Sequence, residues 1–274
     1  MKFKKGLIAA FGLAASIMLT ACGGQQGGND TPKDSTTIKI GASPTPHAEM
    51  LEQIKTDLKE KGITLSIVEF NDYVQPNIAL NDKELDANFF QHEPYLIDFM
   101  KEHKDVKLTN AAGVHIELMG AYSKKIKKVE ELADGAQVSI PNDPTNGGRA
   151  LLLLNKVGLI KLKDGVTATA TVQDIVGNPK KLVIQEVEAA QLPRTLDDVD
   201  LSIINTNFAL NADLNPVKDA LFMEDKTSPY VNIIAVREGD ENRAEIKELI
   251  NALHSDKMKK FIEEKYNGAI VPAF

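Results

Sequence analysis

Arg149 closes the stretch Pro141-Asn142-Asp143-Pro144-Thr145-Asn146-Gly147-Gly148-Arg149, which reads as a strand end followed by a helix start. A guanidinium there can hold a carboxylate through two parallel hydrogen bonds, and a helix N-terminus adds favourable potential for an anion. The bland alternative is a solvated surface arginine. Asn205 follows the apolar run Leu201–Ile204, and Asn232 lies inside the run Tyr230–Val236. An amide beside an apolar strand presents a donor and an acceptor at once, the pair that a zwitterion needs. Turn capping for Asn205 and a ladder-side hydrogen bond for Asn232 are the structural alternatives. Asn146 divides evenly between ligand contact and helix cap.

Phe70, Tyr73, Phe89, Phe90, Tyr95 and Phe99 fall within 30 residues of a chain that has 10 Phe and 5 Tyr. Aromatic clusters of this kind are more often core than pocket. In Phe89-Phe90-Gln91-His92 the two-residue period of a strand puts Phe90 and His92 on one face and Phe89 on the other. The five histidines (His47, His92, His103, His115, His254) are scattered, with no His-rich tract, although zinc ligands can converge in space. No GxSxG elbow, Walker A loop, GxGxxG or CxxC is present. We therefore expect no enzyme, no cofactor and no metal site.

Strands and helices alternate along the chain, which points to α/β lobes with largely parallel sheets. Thr37–Ala42 reads as a strand. Thr45 offers an N-cap with Pro46 at the first helical position, and Leu51, Ile54 and Leu58 share one face of a helix that Gly62 closes. Leu65–Phe70 is the next strand. A second round follows, with strand Gln137–Pro141, apolar helix Ala150–Leu154 and strand Lys181–Val187. Lys83–Asn88 has an echo in Leu196–Ser202, so one supersecondary plan is used once per lobe. Tyr230–Val236 can pair with Val114–Met119 to make two crossing hinge strands, leaving a ligand cleft between the lobes. A C-terminal helix with Ile246, Leu249, Ile250 and Leu253 on one face packs back on lobe one.

Lys2, Lys4 and Lys5 precede an apolar run, Gly6–Leu19, that is short of the about 20 residues a spanning helix needs. This is the pattern of a secretory signal. Leu19-Thr20-Ala21-Cys22-Gly23 resembles the bacterial lipobox, which implies cleavage before Cys22 and a diacylglycerol on it. A thioether-linked cysteine explains one unpaired Cys in an exported chain, and the two acyl chains suffice for durable anchoring. Cys22 is the only cysteine, so no thiol nucleophile remains. Residues 23–37 are polar and Gly-rich and read as a flexible tether. Losing the three lysines takes the formal charge from −7 to −10, which argues against a nucleic-acid partner.

Several separated stretches resemble the NlpA/MetQ family of methionine-binding lipoproteins of ABC importers. They are Gly41-Ala42-Ser43-Pro44-Thr45-Pro46-His47-Ala48-Glu49, Phe70-Asn71-Asp72-Tyr73-Val74-Gln75-Pro76-Asn77, Asn88–Leu96, Pro141–Leu151, Ala190–Arg194 with Asp198-Val199-Asp200, and Pro229–Asn232. The resemblance implies a type II periplasmic-binding-protein fold of two α/β lobes joined by two crossing hinge strands. The expected division is a signal peptide over 1–21, a lipidated tether over 22–37, lobe one over 38–119 plus 231–274, and lobe two over 120–230. It implies methionine, L or D, in the interlobe cleft, and a membrane permease with its ATPase as partners of a monomer anchored on the extracytoplasmic face. It carries Arg149, Asn205 and Asn232 over as ligand contacts, with Asn146 a further candidate, and places Tyr73, Phe90 and His92 around the thioether, where a polarisable sulfur suits an aromatic ring. Phe89 and Phe99 are left to the core. A methionine dipeptide such as Gly-Met in the same fold, a surface adhesin and a metal-binding lipoprotein are the competing expectations.

Overall fold

The computed structural model describes residues 36–274; the signal, the lipobox at Cys22 and nearly all of the tether lie outside them. Two sheets organise the chain. The first has six strands, with β1 (Thr36–Ala42) between β2 (Ile63–Glu69) and β3 (Ala87–His92), all three parallel. Beyond β3 come β12 (Val231–Arg237), β4 (Leu108–Glu117) and β13 (Ile270–Pro272), each antiparallel to its neighbour. The second sheet repeats the plan. β6 (Gln137–Pro141) lies between β9 (Val183–Val187) and β10 (Leu201–Ile204), again all parallel. Antiparallel β5 (Gly120–Tyr122) and β11 (Phe222–Met223) complete it. A two-stranded ribbon of β7 (Lys161–Leu162) and β8 (Ile175–Gly177) stands apart.

The echo in the sequence has a physical counterpart. Asp86 Oδ2 accepts from the Lys39 N–H at 2.9 Å, and the Asp86 N–H donates to Lys39 O at 2.7 Å. Asp200 does the same to Gln137, at 2.8 and 2.9 Å. In each lobe an aspartate just before the third strand locks it to the first.

α1 (Glu49–Glu60) follows β1 and buries Met50, Leu51, Ile54 and Leu58, the face expected from the three- and four-residue spacing, and Gly62 at φ 80° lets the chain turn into β2. The helix begins later than expected. Thr45 is extended (φ −125°, ψ 135°), so Pro44–Ala48 forms a separate turn and Thr45 caps no backbone N–H. α2 (Gln75–Asn81) and α3 (Glu93–Glu102) flank β3, while α8 (Ala244–Leu253) and α9 (Asp256–Tyr266) end the chain. Ile246, Leu249 and Leu253 join Ile38, Ile40 and Leu51 in one core, and Ile250 packs at its margin. At about 1.5–3 kcal/mol per fully buried large aliphatic side chain, these faces dominate the stability of the lobe. In the second lobe α4 (Pro144–Lys156) lays Leu151, Leu153 and Leu154 on Val138, Ile140 and Ile203. The short helices α5 (Leu192–Thr195), α6 (Thr206–Asn211) and α7 (Pro216–Asp219) fill the remaining edge.

The two long apolar runs pair as expected, with Val231 opposite Ile116 and Asn232 opposite His115. β4 starts earlier than its apolar run, at Leu108, because Thr109 and Asn110 extend the ladder with Val236 and Ala235. The chain passes between sheets twice: through Leu118–Met119 after β4, and through residues 224–230 before β12. These two passages are hydrogen-bonded to each other, Glu224 N–H donating to Met119 O at 2.9 Å. Among the described residues no helix is long and apolar enough to cross a membrane.

Candidate functional site

Where the sheets face each other lies a partly open cavity, with about 330 Å³ of empty space that includes some open to solvent. All seven residues singled out above line it: Tyr73, Phe90 and His92 from the first lobe, Asn146, Arg149 and Asn205 from the second, and Asn232 at the base of β12. The alternation along β3 holds. Phe90 and His92 face the cavity, whereas Phe89 packs among Ile38, Ile40 and Val114, and Phe99 belongs to the core under Phe90.

α4 brings Arg149 and Asn146 to the cavity because two glycines let its first turns press against backbone. A Cβ on Gly147 would lie 2.8 Å from Pro141 O, and one on Gly148 only 2.1 Å from Ala168 O. One expectation is corrected here. The helix begins at Pro144 with Asp143 as its N-cap, accepting from Asn146 N–H at 2.9 Å. Arg149 therefore sits in the second turn, and the favourable N-terminal potential falls on Asp143 instead. Its guanidinium is held by Glu224, with Nε on Oε1 at 2.7 Å and Nη2 on Oε2 at 2.5 Å. Nη2 also donates to Glu117 O at 2.6 Å. The Tyr230 ring lies beneath it, 4.3 Å from guanidinium carbon to centroid. Burial works against the charge, but Glu224 outweighs it and the Arg149 pKa moves up.

The amides form one network. Asn146 does not cap the helix with its side chain. Its Nδ2 donates to the Asp143 carboxylate at 3.0 Å, and its Oδ1 meets His92 Nε2 at 3.1 Å and Asn205 Nδ2 at 2.8 Å. Asn205 occupies the N-cap position of α6 without using its side chain there. Two amide atoms of the cavity-lining residues are left buried without a partner among the described residues: Asn205 Oδ1, an acceptor, and Asn207 Nδ2, a donor. Leaving such groups unpaired costs about 1–3 kcal/mol each, so they mark where a ligand's own polar groups belong. Tyr73 completes this side, its hydroxyl donating to Asn207 Oδ1 at 2.6 Å and its ring packing at 5.9 Å from Phe90 and 4.9 Å from Phe208. Burial pushes the Tyr73 hydroxyl pKa well above its ordinary value.

A buried trio adjoins the cavity, with Glu117 alone of the three in its lining. Glu117 Oε1 meets His115 Nε2 at 2.9 Å and His47 Nε2 at 3.2 Å, and its Oε2 accepts from Asn207 N–H at 3.0 Å. His47 also reaches Asn232 Oδ1 at 2.9 Å. Burial drives His115 down to about 3 and His47, despite Glu117, to about 4. Burial and then the Arg149 charge bring His92 to about 3. The imidazoles are thus neutral near pH 7, and their contacts with Glu117 are hydrogen bonds, not ion pairs. Burial raises the Glu117 carboxyl pKa, offset in part by His47 and Arg149. His47, His115 and Glu117 bring three metal-ligand atoms within 4.8 Å of one another. A ligating imidazole ordinarily donates its second ring N–H to an outer acceptor. Nδ1 of His47 and of His115 is buried with no such partner among the described residues, so the donor set fits a hydrogen-bonded carboxylate better than a metal centre.

Gln91, Tyr95, Glu117, Thr206 and Asn207 also line the cavity, and the sequence reading does not assign them to it. Glu117 carried a signal, being the one charged residue in the run Val114–Met119. Glu224 carried none, because Met223-Glu224-Asp225-Lys226 reads as a solvated charge run.

A cavity between two α/β lobes, lined by fixed amides, a paired arginine and aromatic rings, defines a binding protein of the type II periplasmic class. The chain belongs to the NlpA lipoprotein family, whose model matches residues 38–274. It is 46% identical over 275 residues to the D-methionine-binding lipoprotein MetQ of Salmonella typhi, covering 99% of each chain. A nutrient-binding protein from Burkholderia cenocepacia, solved bound to methionine, superposes with a TM-score of 0.83 at 47% identity, over 86% of this chain and 100% of that one. An ABC-transporter periplasmic substrate-binding protein from Coxiella burnetii does so at 0.82 and 43%, with the same coverage.

Proposed function

We propose that the chain is an extracytoplasmic substrate-binding lipoprotein that takes methionine into the interlobe cavity and delivers it to an ABC permease and its ATPase. The observation that supports this most is the pairing of unmet polar atoms with an aromatic wall. In this reading Arg149 Nη1 and Asn207 Nδ2 receive the ligand carboxylate, Asn205 Oδ1 and the Glu117 carboxylate receive the ammonium, and Tyr73, Phe90 and His92 surround the thioether. Relatives named for methionine point to the same ligand. No nucleophile, redox group or metal is needed for capture and release, so the chain is read as a carrier and not an enzyme.

The two passages between lobes, Leu118–Met119 and residues 224–230, act as the hinge on which lobe one (38–119 plus 231–274) and lobe two (120–230) close. Cys22 carries the lipid, residues 22–37 are the tether, and the protein works as a monomer at the membrane. Thermal denaturation tests the reading. A ligand at 100 times its Kd adds about 2.7 kcal/mol to stability, so L- or D-methionine should raise the melting temperature by several degrees. Glycine and leucine at equal concentration should not. Equal shifts with all the amino acids would reject methionine as the substrate.

A further inference from the structure

Glu224 lies outside the cavity lining, yet its side chain is fully engaged beside it. Its carboxylate accepts from four donors: Arg149 Nε at 2.7 Å, Arg149 Nη2 at 2.5 Å, Met119 N–H at 3.1 Å and Ser228 Oγ at 3.2 Å. Those donors come from three places. Met119 lies in the first passage between lobes, Ser228 in the second, and Arg149 in the second turn of α4. Glu224's own N–H returns to Met119 O at 2.9 Å. One carboxylate thus ties together both interlobe passages and the arginine of the cavity.

The consequence for Arg149 is geometric. Its Nε–Nη2 edge, the fork that would ordinarily grip a ligand carboxylate bidentately, is spent on Glu224, and Nη2 is shared with Glu117 O. The Tyr230 ring at 4.3 Å closes one face. Among the described residues Nη1 has no hydrogen bond, and Arg149 lines the cavity. We infer that Glu224 is the positioning residue of the binding arginine. It fixes the rotation of the guanidinium and balances its charge, so that only the Nη1 edge meets the ligand carboxylate, and it does so from the point where the two passages between lobes touch. A cation already neutralised recognises a carboxylate by hydrogen-bond direction and not by net charge. It therefore suits a zwitterion and gives little extra to a doubly anionic ligand.

This inference rests on the methionine reading, and the test separates the two. The full chain in detergent, as wild type, Glu224→Gln and Glu224→Asp, is titrated with L-methionine and with methioninol, which keeps the ammonium and thioether but replaces the carboxylate by a hydroxymethyl group. In Glu224→Gln the Kd for methionine should rise about thirtyfold, the loss of one well-aimed charge-assisted hydrogen bond, while that for methioninol changes less than about threefold. The preference for the carboxylate then collapses about tenfold. Glu224→Asp keeps the charge but not the reach, and should show the same pattern with a smaller loss. If Glu224→Gln does not fold, the Glu224→Asp comparison decides. Equal weakening of both ligands would make Glu224 a scaffold residue only, and unchanged methionine affinity in a folded variant would also overturn the inference. Wild type that binds neither ligand would instead reject the methionine reading, and the inference with it.

Discussion

Replacing Arg149 by methionine keeps most of the side-chain volume and removes the charge, and the structure divides its effect into two parts. The first is stability. Glu224 would lose two of its four donors in a site where its side chain is 12% exposed, keeping Met119 N–H and Ser228 Oγ. Removing one partner of a buried ion pair costs about 3–5 kcal/mol, and the donors that remain place this case near the lower end. At about 2–4 °C per kcal/mol for a domain of this size, the melting temperature should fall by roughly 6–12 °C. The second part is affinity. The Nη1 edge offers the ligand one charge-assisted hydrogen bond of about 1.5–3 kcal/mol, so Kd should rise roughly 10- to 150-fold. A double variant, Arg149→Met with Glu224→Leu, separates the parts, because replacing both members of a buried pair by apolar residues is often neutral. It should regain most of the stability and none of the affinity. Calorimetric titration at 15 °C, with folding checked by circular dichroism, reads both. A folded Arg149→Met protein whose methionine Kd moves by less than threefold would refute the role of Arg149.

Tyr73→Phe removes the donor to Asn207 Oδ1 at 2.6 Å; the loss of about 1 kcal/mol should weaken methionine about fivefold in the same titration. Gly148→Ala puts a Cβ 2.1 Å from Ala168 O and 2.8 Å from Ala170 N, both backbone atoms, so a loss of about 1–3 kcal/mol or more should appear in urea denaturation. For the buried histidines, the folded pKa values of about 4 for His47 and about 3 for His92 and His115 lie below the unfolded value near 6.5. The unfolded chain binds more protons in that window, so these three groups give stability that is full above pH 6.5 and lost as pH falls toward 4. Glu117 and Asp143, raised by burial, act in the opposite sense above the ordinary carboxylate range. The histidines are therefore best read directly: their NMR ring-carbon signals should stay constant from pH 7 to pH 5, and a midpoint near 6.5 for any of them would refute the burial argument.

Much of the lobe plan was legible because it rests on short-range signals. The spacing of Leu51, Ile54 and Leu58 gave the buried face of α1, and the two-residue period gave the opposed placement of Phe89 and Phe90. The Asp86 and Asp200 segments marked equivalent points in the two lobes before either hydrogen bond to the first strand was known. What the sequence hid depends on partners far along the chain. The start of α4 was set five or six residues late, because Gly147 and Gly148 read as breakers when nothing local showed that they press against Pro141 O and Ala168 O. Thr45 reads as a helix cap, but its backbone is extended, as favoured before a proline, its hydroxyl meets Glu49 Oε1 and not a backbone N–H, and α1 starts only at Glu49. Glu224 could not be told from its charged neighbours Asp225 and Lys226, since only the meeting of two passages over 100 residues apart makes it the partner of Arg149. His47 meets Glu117 across 70 residues of chain, which no local pattern shows, whereas His115 and Glu117, two residues apart on β4, share one face of the strand.

The measurement that bears most directly on the central claim is calorimetric titration of the full chain in detergent, unfolded and refolded to strip any bound ligand, with L-methionine, D-methionine and Gly-Met in separate runs. One-to-one binding of L- or D-methionine is the expected result. Folded protein that takes up only Gly-Met would move the substrate to peptides, and folded protein silent toward all three would contradict the account.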